Sequence, residues 1–203
     1  DEWNVWYKTF NREGMDPEGG FPRHLIEEVY NLEDALVAAG FLNSFIRHAD
    51  CIKIANIAQI VNVIAPILTR GDELLIQSIY HVFEMFSKRR EGVALRTAVQ
   101  GPVYQGSQHG EVYYLDCSAI LGGDRLQVFA SNRSQDEEMD LSIEVADRSI
   151  ASPQSAELLT GPDAKAANSF EAPDVVRSER FEGFEVRGGK AHLSLPPLSI
   201  LAA

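Results

Sequence analysis

Two hydrophobic periodicities divide the chain, and the change falls near Glu91 and Gly92. Before it, Leu32, Ala35, Leu36, Ala39, Leu42 and Ile46 recur at the spacing of one helix face, with Asn31 as N-cap and Asp34 in the first turn. The spacing predicts a helix over about residues 31–48. Ile76, Ile79, Tyr80, Phe83 and Phe86 predict a second, over about 74–90, ended by Lys88, Arg89 and Arg90 with Gly92 just beyond. Between them, Cys51-Ile52-Lys53-Ile54-Ala55-Asn56-Ile57 is short, rich in β-branched residues and bounded by polar loops, and reads as a buried strand. Residues 1–7 read as the end of another. Strand, helix, strand, helix is the unit of a parallel α/β structure. Two such units cannot bury a parallel sheet, so further strands are expected upstream of Asp1.

After Gly92 the pattern alternates. Residues 112–119, 125–132 and 139–145 read as strands, with Gly122-Gly123-Asp124 turning between the first two. A looser stretch over 149–176 follows. Then come Phe184-Glu185-Val186-Arg187, a Gly188-Gly189 turn, and Ala191-His192-Leu193-Ser194-Leu195. Many short strands with frequent turns predict an antiparallel β-sandwich, jelly-roll-like in character. The expected domains are thus 1–91, of α/β type, and 92–203, all β.

Composition narrows the partners. Across 203 residues the formal net charge is −12, which argues against nucleic acid and anionic membrane as partners, since both need a basic surface. No apolar run reaches membrane-spanning length. Cys51 and Cys117 sit in apolar runs and read as two buried thiols rather than a disulfide. Neither has a second ligand at metal-motif spacing, so no metal and no cofactor is expected.

The chemistry gathers at the first residues, Asp1-Glu2-Trp3-Asn4-Val5-Trp6-Tyr7. A carboxylate at the C-terminal end of a parallel strand is where a (β/α)8 barrel keeps its catalytic groups. Neighbouring rings can present flat apolar faces to a sugar. By pattern alone, an acid beside tryptophans is more often an ordinary surface or core-edge feature.

That segment resembles the strand-seven signature of glycoside hydrolase family 51, the α-L-arabinofuranosidases. The resemblance continues through Tyr30-Asn31-Leu32-Glu33-Asp34-Ala35-Leu36 and Arg47-His48-Ala49-Asp50, and through the block Lys53-Ile54-Ala55-Asn56-Ile57-Ala58-Gln59-Ile60-Val61-Asn62 and on to Pro66. It implies that residues 1–91 are the C-terminal portion of a (β/α)8 barrel, from the end of strand seven to helix eight, before the β-sandwich. It also implies that Glu2 is the catalytic nucleophile and that Trp6 and Gln59 bind substrate, while His48 and Asn62 read as structural. The implied activity is exo-acting and retaining, removing arabinofuranosyl units from arabinan, arabinoxylan or their oligosaccharides. The partner carboxyl group belongs, in the family, to an Asn-Glu pair at the end of strand four, and this chain has no Asn-Glu pair. An upstream barrel segment bearing that acid/base glutamate is therefore an expected partner, and the chain alone is expected to be inactive. Homo-oligomerisation and a cytoplasmic location are implied by the family only. Two departures stand out: Phe21 where a tryptophan is common, and Ile79-Tyr80-His81-Val82-Phe83 after strand eight. Two other readings remain open, a glycosidase of xyloside or glucan specificity and a noncatalytic carbohydrate-binding or assembly module.

Overall fold

The computed structural model describes residues 2–6 and 27–203. Tyr7 and the loop 8–22, with Phe21, lie outside the described residues. The elements run β1 (Glu2–Trp3), α1 (Leu32–Arg47), β2 (Asn56–Ile57), β3 (Ile67–Arg70), β4 (Glu73–Ile76) and α2 (Ser78–Ser87), then β5 (Val93–Leu95), β6 (Val103–Gly106), β7 (Gly110–Tyr113), β8 (Leu115–Gly122), β9 (Arg125–Asn132) and β10 (Met139–Ile143). The chain closes with β11 (Glu157–Thr160), β12 (Arg177–Arg180), β13 (Glu185–Arg187), β14 (Lys190–Leu195) and β15 (Ser199–Ala202). The order of an α/β segment followed by an antiparallel sandwich is the one expected.

α1 forms where its pattern places it. Asn31 Oδ1 accepts from Asp34 N at 3.1 Å, and Asp34 Oδ2 accepts from Asn31 N at 2.9 Å, a reciprocal capping box. Leu32, Ala35, Leu36 and Ala39 are buried, with Leu42 and Ile46 packed at the edge of the same core.

α2 departs from expectation at both ends. Leu74, Leu75 and Ile76 suit a helix face, but they are paired in β4 against β3, across a turn in which Gly71 has φ 60°. The run is compatible with either period, and the hairpin wins because its backbone is satisfied by its neighbour. Gln77 then starts the helix with its side chain engaged elsewhere: Nε2 donates to the Glu28 and Ala65 carbonyls at 3.0 and 2.7 Å, and Oε1 accepts from Tyr30 N at 2.8 Å. At the other end the basic residues lie just beyond the last turn. Arg89 still reaches back, donating to the Met85 carbonyl at 3.1 Å. Gly92, at φ 137°, is required by a crossing rather than a helix cap, since a Cβ there would lie 2.4 Å from the Leu121 carbonyl oxygen.

The six-stranded sheet, in the order β12-β11-β15-β9-β8-β5, is the centre of the molecule. One face carries Ile120, Phe129, Leu159 and Ile200 and packs under α1 and α2, with Phe86 stacked on Phe129 at 4.2 Å between ring centroids. The other face carries Ala130 and Leu201 and packs on Leu193 and Leu195 of the three-stranded sheet β10-β14-β13. Successive strand residues point to opposite faces, so each strand feeds both cores. This explains β15, whose four residues are all buried and show no alternation in polarity.

The expected strand over Cys51–Ile57 is reduced to Asn56–Ile57, and its apolar residues are not buried: Ile54 is 66% exposed. The thiol expectation is corrected in one half. Both cysteines are free, but Cys51 is exposed, while Cys117 is half-buried. Among the described residues, no helix is long and apolar enough to cross a membrane.

Candidate active site

β1 and β2 pair in parallel, with Glu2 opposite Asn56 and Trp3 opposite Ile57. The C-terminal ends of the two strands therefore lie side by side. Ala58 N continues the ladder by donating to the Trp3 carbonyl at 3.1 Å. Glu2 lies on β1, Trp6 three residues past it, and Gln59 two residues past β2. The structure thus places Glu2 on one strand of the pair, and Trp6 and Gln59 in the segments that leave the two strands.

Alternation sorts the side chains. Trp3 packs against Phe41 and Phe45 of α1 and Phe83 of α2, with ring centroids 5.0–5.4 Å apart, and Val5 joins the helix-side core. Glu2, one residue out of step with Trp3 on β1, belongs to the opposite face. Glu2 and Gln59 are exposed, and Trp6 is 50% exposed. The two tryptophans three residues apart thus have different environments, one an aromatic cluster and one a surface.

The backbone around the site is held by buried polar groups. Tyr30, fully buried, donates its hydroxyl proton to the Val5 carbonyl at 2.8 Å and so fixes the exit of β1. Asn4 Nδ2 donates to the Ala58 carbonyl at 2.8 Å and to the Ile64 carbonyl, while its Oδ1 accepts from Val5 N at 2.8 Å. The Ala58–Gln59 peptide is cis. Asn62, at φ 64°, accepts from Thr69 N at 2.8 Å and donates to Thr69 Oγ1 at 3.0 Å. His48 caps α1, its Nδ1 lying 2.8 Å from the Ser44 carbonyl. Tyr30, Gln77 and Asn4 carry much of this geometry; Asn4 and Tyr30 lie in the blocks quoted above, but nothing local marks this structural role, because most of their partners are backbone groups far away in sequence.

A groove of about 840 Å³ lies elsewhere. It runs between α1 and the β6–β7 hairpin, lined by Phe41, Arg47, Tyr104, Tyr113 and Asp116 among others, and neither Glu2, Trp6 nor Gln59 contributes to it. The candidate site is instead an open strand end. A carboxylate, an aromatic face and a carboxamide there could attack, stack on and hydrogen-bond a small polar ring. Retaining glycoside cleavage would need a second carboxyl group about 5–5.5 Å from the first.

Comparison with known proteins bears on what the strand end belongs to. The family described as the alpha-L-arabinofuranosidase C-terminal domain matches residues 1–199. The chain is 34% identical over 205 residues to an intracellular exo-α-(1→5)-L-arabinofuranosidase of Streptomyces lividans, covering 98% of this chain and 30% of that protein. It is likewise 34% identical to a Bacillus subtilis protein of the same description, covering 98% of this chain and 40% of that protein. The crystal structure of the family 51 arabinofuranosidase from Xanthomonas axonopodis pv. citri superposes with a TM-score of 0.84 at 29% identity, over 100% of this chain and 39% of that one. The chain therefore spans well under half the length of the relatives that it matches.

Proposed function

The chain belongs to the α-L-arabinofuranosidase C-terminal domain family, and from that premise we propose that it forms the nucleophile-bearing part of a retaining exo-α-L-arabinofuranosidase. The observation that carries the reading is the position of Glu2. It lies on a parallel strand, beside the end of the neighbouring strand and on the face away from the helices.

In the proposed reaction, Glu2 attacks the anomeric carbon of a terminal arabinofuranosyl unit and displaces the leaving oxygen, forming a glycosyl–enzyme ester. A second glutamic acid protonates that oxygen as it departs, then takes a proton from the water that hydrolyses the ester. That acid belongs to an upstream barrel segment, to which residues 1–91 contribute the last strands and helices, while 92–203 form the supporting sandwich. Support comes from the open faces of this segment: Ile54 and Ile60 are 66% and 60% exposed, as expected of residues that neighbouring barrel elements would cover. Trp6 offers its ring to the furanose, and Gln59 donates to a sugar hydroxyl. The substrates are arabinan, arabinoxylan or their oligosaccharides. Intracellular placement and homo-oligomerisation follow from the same reading, the first supported by the names of the relatives.

The test is Glu2→Ala in the enzyme complete with its upstream segment. Hydrolysis should be abolished with the fold retained, since the residue acts on the reacting carbon. Azide should then restore turnover of an activated aryl α-L-arabinofuranoside by single displacement, giving a glycosyl azide of inverted configuration. An intact nucleophile elsewhere would form the glycosyl–enzyme first, and azide would give retained product. Retained product, or wild-type activity in the variant, would sink the assignment.

A further inference from the structure

We propose that Asn4 is a positioning residue, one that sets where the substrate-binding Gln59 sits relative to the Glu2 carboxylate. The inference rests on the reading of Glu2 and Gln59 above.

A primary carboxamide has two N–H donors and one accepting oxygen. The donors of Asn4 both go to the loop after β2, to the carbonyls of Ala58 and Ile64, and its oxygen accepts from Val5 N. Those two carbonyls bracket residues 59–63. One side chain just past the strand that carries Glu2 therefore ties down both ends of the segment that carries Gln59. Ala58 is fixed twice, since its N–H also donates to the Trp3 carbonyl at 3.1 Å.

The segment needs such a restraint. Asn62 and Ile64 have φ values of 64° and 39°, in the left-handed region. For a β-branched residue such as Ile64 that conformation is costly, and it persists only where the surroundings over-determine it. Asn4 binds Ile64 itself, and the Asn62–Thr69 pair holds the outer side. Asn4 lies two residues after Glu2, between Trp3 and Val5, whose side chains pack towards the helices. Any change in the hold of Asn4 moves Gln59 relative to the nucleophile.

Misplacement by about 1 Å can cost about a hundredfold in rate. In the enzyme with its upstream segment, Asn4→Ala should lower kcat/KM about tenfold to a hundredfold. The decisive measurement is a double-mutant cycle with Gln59→Ala on an aryl α-L-arabinofuranoside, with thermal unfolding followed in parallel. If Asn4 acts through the loop, adding Asn4→Ala to Gln59→Ala should change kcat/KM by no more than about twofold. A merely structural asparagine would lower the melting temperature and leave the kinetic losses multiplying. Multiplying losses, or wild-type kinetics in Asn4→Ala, overturn the inference while leaving Gln59 in its role. Wild-type kinetics in Gln59→Ala overturn both that role and the inference. Should Asn4→Ala not fold, Asn4→Ser, which keeps one donor, goes through the same cycle with the same criteria.

Discussion

The six-stranded sheet and the parallel pair β1–β2 are built from one chain under different conditions. β8 and β9 pair over eight residues through a turn at Gly122-Gly123-Asp124, and both faces of their sheet are covered. β1 and β2 pair over two residues, separated by more than fifty positions, and the residues around β2 stay exposed. Antiparallel strands can be joined by a short turn and completed locally, whereas parallel strands need a crossover and then neighbours on either side. The helices do not share this deficit. α1, which crosses from β1 to β2, and α2, which follows β4, each bury one face, because they lie on the sandwich sheet as well as behind β1. The core therefore passes directly across residues 91 and 92, where the hydrophobic period changes.

Cutting the chain there should produce the largest effect. A 1–91 fragment would expose the α1 and α2 faces and the strand edges, and a 92–203 fragment would expose Ile120, Phe129, Leu159 and Ile200. Neither should unfold cooperatively on its own, by near-ultraviolet circular dichroism and thermal melting. A soluble, cooperatively melting 1–91 fragment would show that the two regions are independent after all.

A pair of substitutions sharpens the contrast between the two tryptophans. Trp3→Ala empties a cluster formed with Phe41, Phe45 and Phe83 and should cost about 3–5 kcal/mol of stability. Trp6→Ala, at a half-exposed position, should leave the melting temperature nearly unchanged and lower turnover of arabinofuranosides by the complete enzyme. Equal losses of stability from the two would break the assignment of their environments.

The smallest effect concerns the seam between α2 and β11. Arg89 Nη1 lies 2.6 Å from Glu157 Oε2, and Lys88 Nζ lies 3.0 Å from Oε1. Burial pushes the Glu157 carboxyl up, but the hydrogen bonds from Arg89 and Lys88 outweigh it and hold the group below the ordinary 4.5. A depressed carboxylate contributes stability above its unfolded value, and loses it as pH falls through the folded one. Glu157→Gln should thus cost about 1–3 kcal/mol at neutral pH. The deficit should shrink as pH falls below about 4.5, in melts of both proteins followed from pH 7 downward. A deficit that stayed constant with pH would remove the ion pair from the account of that seam.

Much of this architecture is local chemistry and is legible in the sequence. The capping box of Asn31 and Asp34, the single apolar face of α1, and the strand 125–132 with its glycine turn follow from residues within a few positions of one another. So does the place of Glu2, Trp6 and Gln59 in blocks resembling family 51, because a motif is a local record. Tertiary structure decided wherever a local pattern allowed two answers or carried none. Leu74-Leu75-Ile76 fits a helix or a strand, and its pairing with β3 selects the strand. Ser199–Ala202 is apolar on both sides because it separates two cores, so it has no alternation to read. Asn4 gains its two acceptors from positions 54 and 60 residues away, brought to it only when β1 and β2 lie parallel. Sequence spacing records which side chains share a face of one element; which elements meet depends on the burial of all of them at once.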